Sequence, residues 1–139
     1  MKNLFLVLAL LCSSSFAGNL YDYKVTRVVD GDTIEFEALF LPDPLTKKLS
    51  IRVLGVDTPE KGGRAKCEKE AKLAAAASEF TKKSVANAKV IQIELKEWDK
   101  FGGRVLGDVI IDGKSLSKEL IEKGHARPYF GEAKKSWCD

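Results

Sequence analysis

Residues 23–37 read YKVTRVVDGDTIEFE. On both sides of the DGD at residues 30–32, β-branched and aromatic residues alternate with polar ones, which is typical of strands with one buried face. An Asp-Gly pair between two such segments favours a tight turn. The stretch therefore predicts a β-hairpin with strands at residues 23–29 and 33–37.

Pro and Gly divide the chain that follows the hairpin. Pro42 and Pro44 have no amide hydrogen to donate to a sheet, so a loop is predicted there. A change to helical spacing places Leu73, Ala76, Ala77 and Phe80 on one face of a long amphipathic helix. Gly124 is placed to end a second helix. The further predicted elements are strands at residues 49–56, 90–95 and 104–111, and helices at about residues 65–86 and 115–123.

The first seventeen residues have the features of a secretory signal peptide. Lys2 gives a positive start, residues 4–11 are an apolar run too short to span a bilayer, and Ala17 ends a small-residue segment. We therefore expect residues 1–17 to be removed and the protein to be exported, to a periplasm or to the exterior. No stable membrane association is expected after that cleavage.

The order of the elements predicts an α+β protein, a β-barrel with helices. Five strands, one helix between the third and fourth strands and one final helix are accommodated most economically by an OB-type five-stranded barrel with two helices. The remaining chain of about 122 residues is enough for one core and too short for two ordinary domains. A single domain is therefore predicted over residues 18–139.

Two cysteines remain after the leader, Cys67 and Cys138. An even pair in an exported protein predicts a disulfide, because the compartment is oxidising. The alternative is two unrelated free thiols. A bridge would close a long loop and tie the end of the chain to its middle.

The overall charge does not indicate a particular partner. Lys and Arg number 23 against 20 Asp and Glu, a net charge of +3, so an anionic partner would have to be recognised locally. The single histidine, His125, excludes mechanisms that need two imidazoles and the usual His/Cys zinc site. Any metal is expected to have oxygen ligands.

Three short segments at strand ends carry groups suited to phosphodiester chemistry. Each one taken alone is typical of an ordinary turn or loop, and their joint meaning depends on their coming together. The carboxylates of Asp32 and Asp57 suit Ca²⁺, and Glu60 is placed to act on a water as general base. Arg52 and Arg104 offer planar guanidinium groups that match phosphate oxygens. The segments are residues 30–33, 57–60 and 99–104.

At these positions the chain resembles the staphylococcal nuclease family, from about residue 25 to residue 129. The resemblance implies an OB-type barrel that cleaves DNA and RNA with Ca²⁺. It implies that Asp32, Asp57 and the Thr58 carbonyl bind the metal, with Asp30 in an outer position. Further roles implied are phosphate binding by Arg52 and Arg104, general base catalysis by Glu60, and nucleotide contacts by Phe101 and Tyr129.

The chain departs from the family pattern at several points. Gly102-Gly103 stands where one Gly is expected, which could displace Arg104, and Phe101 lacks the hydroxyl of a Tyr. The chain also ends soon after residue 129, where the cysteine tether could replace a longer helix. Because strict alternation puts Arg52 and Asp57 on opposite faces of a strand, a bend is needed between them, and Gly55 is its expected place.

The resulting prediction is a monomeric calcium-dependent nuclease that acts on DNA and RNA with little sequence preference. The main alternative is a non-catalytic OB-fold module that binds nucleic acid. A calcium-stabilised structural domain is a second alternative, but it gives no reason for the two arginines. Lys134 is assigned to solvated charge, and Trp137 and His125 to structural roles. Basic residues at 47, 48, 61 and 64 lie in loops expected to flank the site.

Overall fold

The computed structural model of the protein describes residues 19–139. The predicted signal peptide lies outside the described residues. The strands are β1 (Leu20–Tyr21), β2 (Val25–Asp30), β3 (Thr33–Glu37), β4 (Lys48–Val53), β5 (Val56–Asp57), β6 (Ile91–Trp98), β7 (Arg104–Ile111), β8 (Lys114–Ser115) and β9 (Arg127–Pro128). The helices are a 3₁₀ turn (Gly62–Arg64), α1 (Glu68–Ala86) and α2 (Leu116–Glu122).

The five long strands lie side by side in one mixed sheet. The order is β1-β6-β7-β4-β3-β2, with β8 also beside β7. Strands β4 and β7 are parallel, and the other neighbours are antiparallel. Parallel neighbours need a long connection, which α1 and β6 provide here. The predicted OB-type class with five long strands and two helices is confirmed, although the sheet is not closed into a complete barrel.

The core lies between the inner face of the sheet and α2. Alternate residues of β3 and β4 are buried, as the period-2 pattern predicts. Ile34, Phe36 and Ile51 are fully buried, and Leu116 and Leu120 of α2 pack into the same cluster. Each such side chain contributes about 1.5–3 kcal/mol by leaving water. This core holds the strand ends that carry the candidate site.

The buried face of α1 differs from the predicted one. Ala77 is buried and Phe80 packs against the core, as predicted, whereas Ala76 is exposed, and Ala74 and Thr81 are buried instead. The reason is a close approach to the β2–β3 turn: a Cβ on Gly31 would lie 2.9 Å from the Ala77 Cβ. The Thr81 hydroxyl donates to the Gly31 carbonyl at 2.7 Å. Small and hydrogen-bonding side chains face the sheet because the turn leaves no room for larger ones.

The bend predicted after β4 is present. The strand ends at Val53, and Gly55 adopts φ +78° before β5 begins. The short strand β5 then pairs with β9 in a separate two-stranded sheet. Arg52 and Asp57 therefore belong to two different strands, and the alternation rule no longer applies between them.

A disulfide joins Cys67 to Cys138, with their Cα atoms 6.0 Å apart. The predicted pairing is confirmed. Cys67 is also the N-cap of α1, where its sulfur accepts from the Glu70 amide at 3.3 Å. The bridge fixes the last residues of the chain against the start of α1. In the described part of the chain, no helix is long and apolar enough to cross a membrane.

Candidate active site

A polar cavity of about 470 Å³ lies where the β2–β3 turn, β4, the loop after β5 and the start of β7 meet. It brings together side chains from six separate parts of the sequence, α1 and the C-terminal tail among them. Predicted site residues make up much of its wall. The charged and aromatic residues that line it are Asp30, Asp32, Arg52, Glu60, Lys61, Arg64, Phe101, Arg104 and Lys134.

Asp32 is the buried acidic group of this cavity, 7% exposed. Its two carboxylate oxygens accept hydrogen bonds from the hydroxyls of Thr33 and Thr58, each at 2.9 Å. The Arg52 Nε lies 3.7 Å from one of these oxygens. The Asp32 carbonyl also accepts from the Val53 amide at 2.8 Å, which fixes the turn to β4. Asp32 is thus held rigidly, with one cation beside it.

Asp30 stands behind Asp32 on the same turn. One of its oxygens accepts from the Asp32 amide at 3.3 Å. Burial, together with the neighbouring carboxylate of Asp32, raises the pKa of Asp30 to about 6. The pair concentrates negative charge at this end of the cavity, which is an arrangement suited to a cation.

Asp57 lies beside the cavity without lining it. It is 5% exposed, and both of its oxygens are taken by the C-terminal tail. The Lys134 Nζ lies 2.9 Å from Oδ1, and the Trp137 Nε1 donates to Oδ2 at 3.1 Å. The tail and Asp57 also line a second cavity of about 720 Å³. Lys134 lines both cavities and so stands between Asp57 and the first one.

Glu60 projects into the cavity from the loop after β5. The Arg64 Nε lies 3.2 Å from one of its oxygens, and the Lys134 Nζ lies 3.9 Å from the other. The backbone at Glu60 is fixed, because the Glu60 amide donates to the Glu70 carboxylate at 3.1 Å. The second Glu70 oxygen accepts from the Lys66 amide at 2.7 Å. Glu70 therefore holds both ends of the loop that carries Glu60.

The hydrogen bond from the Lys66 amide, and then that from the Glu60 amide, lowers the pKa of Glu70. A lowered pKa means that the ionised group stabilises the folded state above its ordinary pKa, and that this contribution is lost as the pH falls through the lowered value. We expect Glu70→Gln to lower the thermal midpoint at pH 7, because the amide group cannot accept at both oxygens. The difference from wild type should shrink as the pH falls below about 4.

Thermal unfolding followed by circular dichroism from pH 3 to pH 8 measures this effect. Glu68→Gln is the matched control, since Glu68 is an exposed residue of the same helix whose partner is Lys72 at 2.8 Å. A constant difference between wild type and Glu70→Gln over the whole pH range would contradict the assigned hydrogen bonds.

The arginine at the start of β7 faces the cavity despite the additional glycine before it. Gly103 adopts φ +75°, and Arg104 then pairs in register with Ser50 of β4. The Arg104 guanidinium forms an ion pair with Asp99 and lies 4.8 Å from the centre of the Phe101 ring. Burial of Asp99 opposes its ionisation, but the hydrogen bond from Arg104 prevails and its pKa is lowered. The predicted displacement does not remove Arg104 from the site.

The two predicted nucleotide contacts occupy different surfaces. Phe101 is 55% exposed at the cavity wall. Tyr129 does not line that cavity; its amide donates to the Gly55 carbonyl at 2.9 Å, and its ring lies 5.4 Å from the Lys134 Nζ. Tyr129 instead lines a neighbouring apolar cavity of about 640 Å³ that shares Arg52 with the first.

Several residues that the sequence assigned to loops or to the surface belong to the site. Lys61 and Arg64 line the cavity, whereas Lys47 and Lys48 form ion pairs elsewhere, with Asp43 and Glu35. Lys134, Trp137 and Glu70 were not recognised as part of it. Glu70 precedes Ala74 and Ala77 by four and seven residues, and this helical spacing was the signal that Glu70 shares their buried face. The predicted disulfide was the signal that the C-terminal tail, with Lys134 and Trp137, lies against the rest of the fold.

The side chains around Asp32 and Asp57 fit a hard divalent cation by their chemistry. Two buried carboxylates and the Thr58 oxygens are the ligand types that Ca²⁺ prefers. A buried carboxylate needs a cation nearby. In this structure Arg52 lies beside Asp32, and Lys134 lies beside Asp57. Over residues 19–139, no group of three or more His, Cys, Asp or Glu side chains is arranged to hold a metal ion.

In the comparison with known proteins, the matching family and the similar proteins agree with one another. The family described as staphylococcal nuclease homologue matches residues 50–137. The chain is 35% identical to a thermonuclease of Staphylococcus hyicus over 81% of this chain and 62% of that protein. It is 34% identical to a thermonuclease of Staphylococcus intermedius over 78% of this chain and 60% of that protein. It is 33% identical to endonuclease YhcR of Bacillus subtilis over 79% of this chain and 9% of that protein. The chain thus spans less than two thirds of each of these relatives.

Proposed function

The chain belongs to the staphylococcal nuclease family, and we propose from this that it hydrolyses phosphodiester bonds of DNA and RNA with little sequence preference. The relatives named thermonuclease and endonuclease support a nuclease. The chain's own residues support the same activity independently. The observation that carries the proposal is the single cavity that contains Asp32, Glu60, Arg52 and Arg104.

Glu60 acts as the general base. Its carboxylate is half-exposed in the cavity, where it can reach a water, and Glu70 holds its backbone in place. A base held in position contributes about 10²–10⁴-fold to a hydrolytic rate. Arg64 lies close enough to orient the carboxylate before substrate arrives.

Arg52 and Arg104 bind the phosphate group that is attacked. They come from the parallel neighbours β4 and β7, so the pairing of these strands sets the distance between them. Each guanidinium group is oriented by a carboxylate: Arg52 pairs with Asp32, and Arg104 pairs with Asp99. Groups oriented in advance stabilise the charge that develops on the phosphoryl oxygens without reorganising during the reaction.

Asp32, Asp57 and the Thr58 carbonyl would hold Ca²⁺, with Asp30 behind them. When bound, the metal supplies positive charge next to the phosphate and polarises its oxygens. The donor set is made only of oxygens, which favours Ca²⁺ over softer metals. Mg²⁺ uses similar ligands in a tighter geometry, so the assay includes both.

Nucleic acid would approach across the exposed Phe101 ring and the cations at the cavity wall. Phe101, exposed at the cavity wall, would stack on a base, and Tyr129, on the neighbouring cavity, would contact a further nucleotide. Lys61 and Arg64 add positive charge along the path of the backbone. Binding carried by phosphate contacts weakens as the salt concentration rises.

We infer that the protein is exported and acts as a monomer through one domain, residues 18–139. The disulfide supports an oxidising compartment. The signal peptide predicted at residues 1–17 gives the route to a periplasm or to the exterior.

A cleavage assay with Asp32→Ala tests the metal site and the activity together. We expect the mature protein to degrade single-stranded DNA, duplex DNA and RNA in Ca²⁺ and to lose this activity in chelator. Asp32→Ala should be slower by about a hundredfold, because it removes a buried ligand of the metal. Asp22→Ala, which removes an exposed carboxylate, is the control.

Two other results would change the assignment. Binding of nucleic acid without cleavage in either metal would make the protein a non-catalytic OB-fold module. Full activity of Asp32→Ala in Ca²⁺ would remove Asp32 from the metal site.

A further inference from the structure

The C-terminal tail places the Lys134 ammonium group against the candidate metal ligands. Its Nζ lies 2.9 Å from an Asp57 oxygen and 3.9 Å from a Glu60 oxygen. The Lys134 side chain is 42% exposed, whereas the Asp57 side chain is 7% exposed. A flexible surface lysine has therefore been brought to a nearly buried carboxylate.

Four contacts keep the tail in this position. The disulfide fixes Cys138 to the start of α1. The Trp137 indole donates to Asp57, and the Arg127 guanidinium lies 3.7 Å from the centre of the indole ring. Arg127 also donates to the Ser136 carbonyl at 2.9 Å. The contact of Lys134 with Asp57 therefore belongs to a segment that other contacts hold in place.

The position of Lys134 has an electrostatic consequence. A buried carboxylate is costly without a cation, and Lys134 is the cation paired with Asp57. Lys134 and Trp137 each contact one of the two Asp57 oxygens, so a divalent ion bound to either oxygen would lie within a few ångströms of the ammonium group. Two cations a few ångströms apart in a partly buried site repel each other strongly. The ammonium group at Asp57 therefore opposes metal binding there, and a bound metal opposes the contact with Lys134.

We propose that Lys134 is a built-in competitor of the metal: its ammonium group neutralises Asp57 and Glu60 in the metal-free protein and is displaced when a divalent cation binds. The inference rests on the metal site of the proposed function. Lys134 thereby keeps the carboxylates paired between catalytic cycles and lowers the affinity for the metal. The coupling is reciprocal, so the metal in turn frees Lys134.

Calcium binding measured by isothermal titration calorimetry without nucleic acid tests the proposal. Lys134→Met should bind Ca²⁺ more tightly than wild type, by about threefold to tenfold, the scale of one partly exposed ion pair. Lys135→Met removes the same charge from the next residue and should bind as wild type does. Lys134→Arg keeps the competing charge and should also stay near wild type.

Amine labelling gives a second measurement that does not depend on activity. Ca²⁺ should increase the rate at which Lys134 is acylated, as followed by mass spectrometry, and leave Lys135 unchanged. Equal calcium affinity of the two Met variants, or weaker binding by Lys134→Met, would overturn the competition while leaving the metal site intact. No calcium binding by any variant would overturn the metal site of the proposed function, and this inference with it.

Discussion

Glu60→Gln is expected to lower the rate of phosphodiester hydrolysis by about a thousandfold, the middle of the range for a general base. Gln has nearly the same shape but cannot take a proton from water. The change should leave the protein folded, because Glu60 is half-exposed and its backbone bond to Glu70 does not involve the replaced group. Single-turnover cleavage of a labelled oligonucleotide in saturating Ca²⁺ measures the chemical step.

Glu79→Gln is the matched control for Glu60→Gln. Glu79 is an exposed residue that pairs with Lys83 four positions along α1, as Glu60 pairs with Arg64 four positions along its loop. Its replacement should change neither rate nor stability appreciably, since exposed pairs contribute about 0–1 kcal/mol. A Glu60→Gln rate within a few fold of wild type would remove Glu60 as the base and leave the arginines and the metal to carry the reaction.

Gly107→Ala is expected to destabilise the protein by about 3 kcal/mol or more, at the upper end for overpacking. A Cβ at this position of β7 would lie 1.8 Å from the Glu94 carbonyl oxygen and 3.1 Å from Ile51. The nearest obstacle is backbone of β6, which cannot move aside as a side chain can. Strand β6 has its irregular register next to this point, between Leu95 and Glu97.

Urea unfolding followed by tryptophan fluorescence measures the stability change. A shift of the midpoint at constant slope would show that stability alone has changed. Gly63→Ala is the control, because nothing lies within 4 Å of a Cβ there. We expect that variant to be near neutral. A Gly107→Ala midpoint equal to wild type would contradict the close approach of β6 to β7 at this glycine.

The long elements could be predicted because their signals are local. Strand β3 has the predicted bounds Thr33–Glu37, and β7 the predicted bounds Arg104–Ile111, since alternation along the chain reflects one buried face. The short strands β1, β5, β8 and β9 were not predicted as strands of their own. A strand of two residues is too short to show an alternating pattern in the sequence. Such a strand forms only because a partner strand lies beside it.

The face of α1 shows where a local pattern is insufficient. Apolar spacing predicted that Ala76 and Ala77 face the core, yet the residues that do so are Ala77, Ala74 and the charged Glu70. The close packing of Gly31 against Ala77 sets the rotation of the helix, and the loop amides satisfy the buried carboxylate. Gly31 and Glu60 both lie outside the helix, and Glu60 is ten residues from Glu70.

The sequence by itself determined the fold class, the disulfide and most of the side chains that line the cavity, because the charged motifs stand at the ends of predicted strands and each strand end is marked by a local turn signal. Only the tertiary structure decided that Asp57 is occupied by the tail and that Glu70 holds the loop of Glu60. Trp137 and Asp57 are 80 residues apart. Contacts over such a distance leave no periodic trace in the sequence, since they form only after the sheet and the disulfide have brought the two segments together.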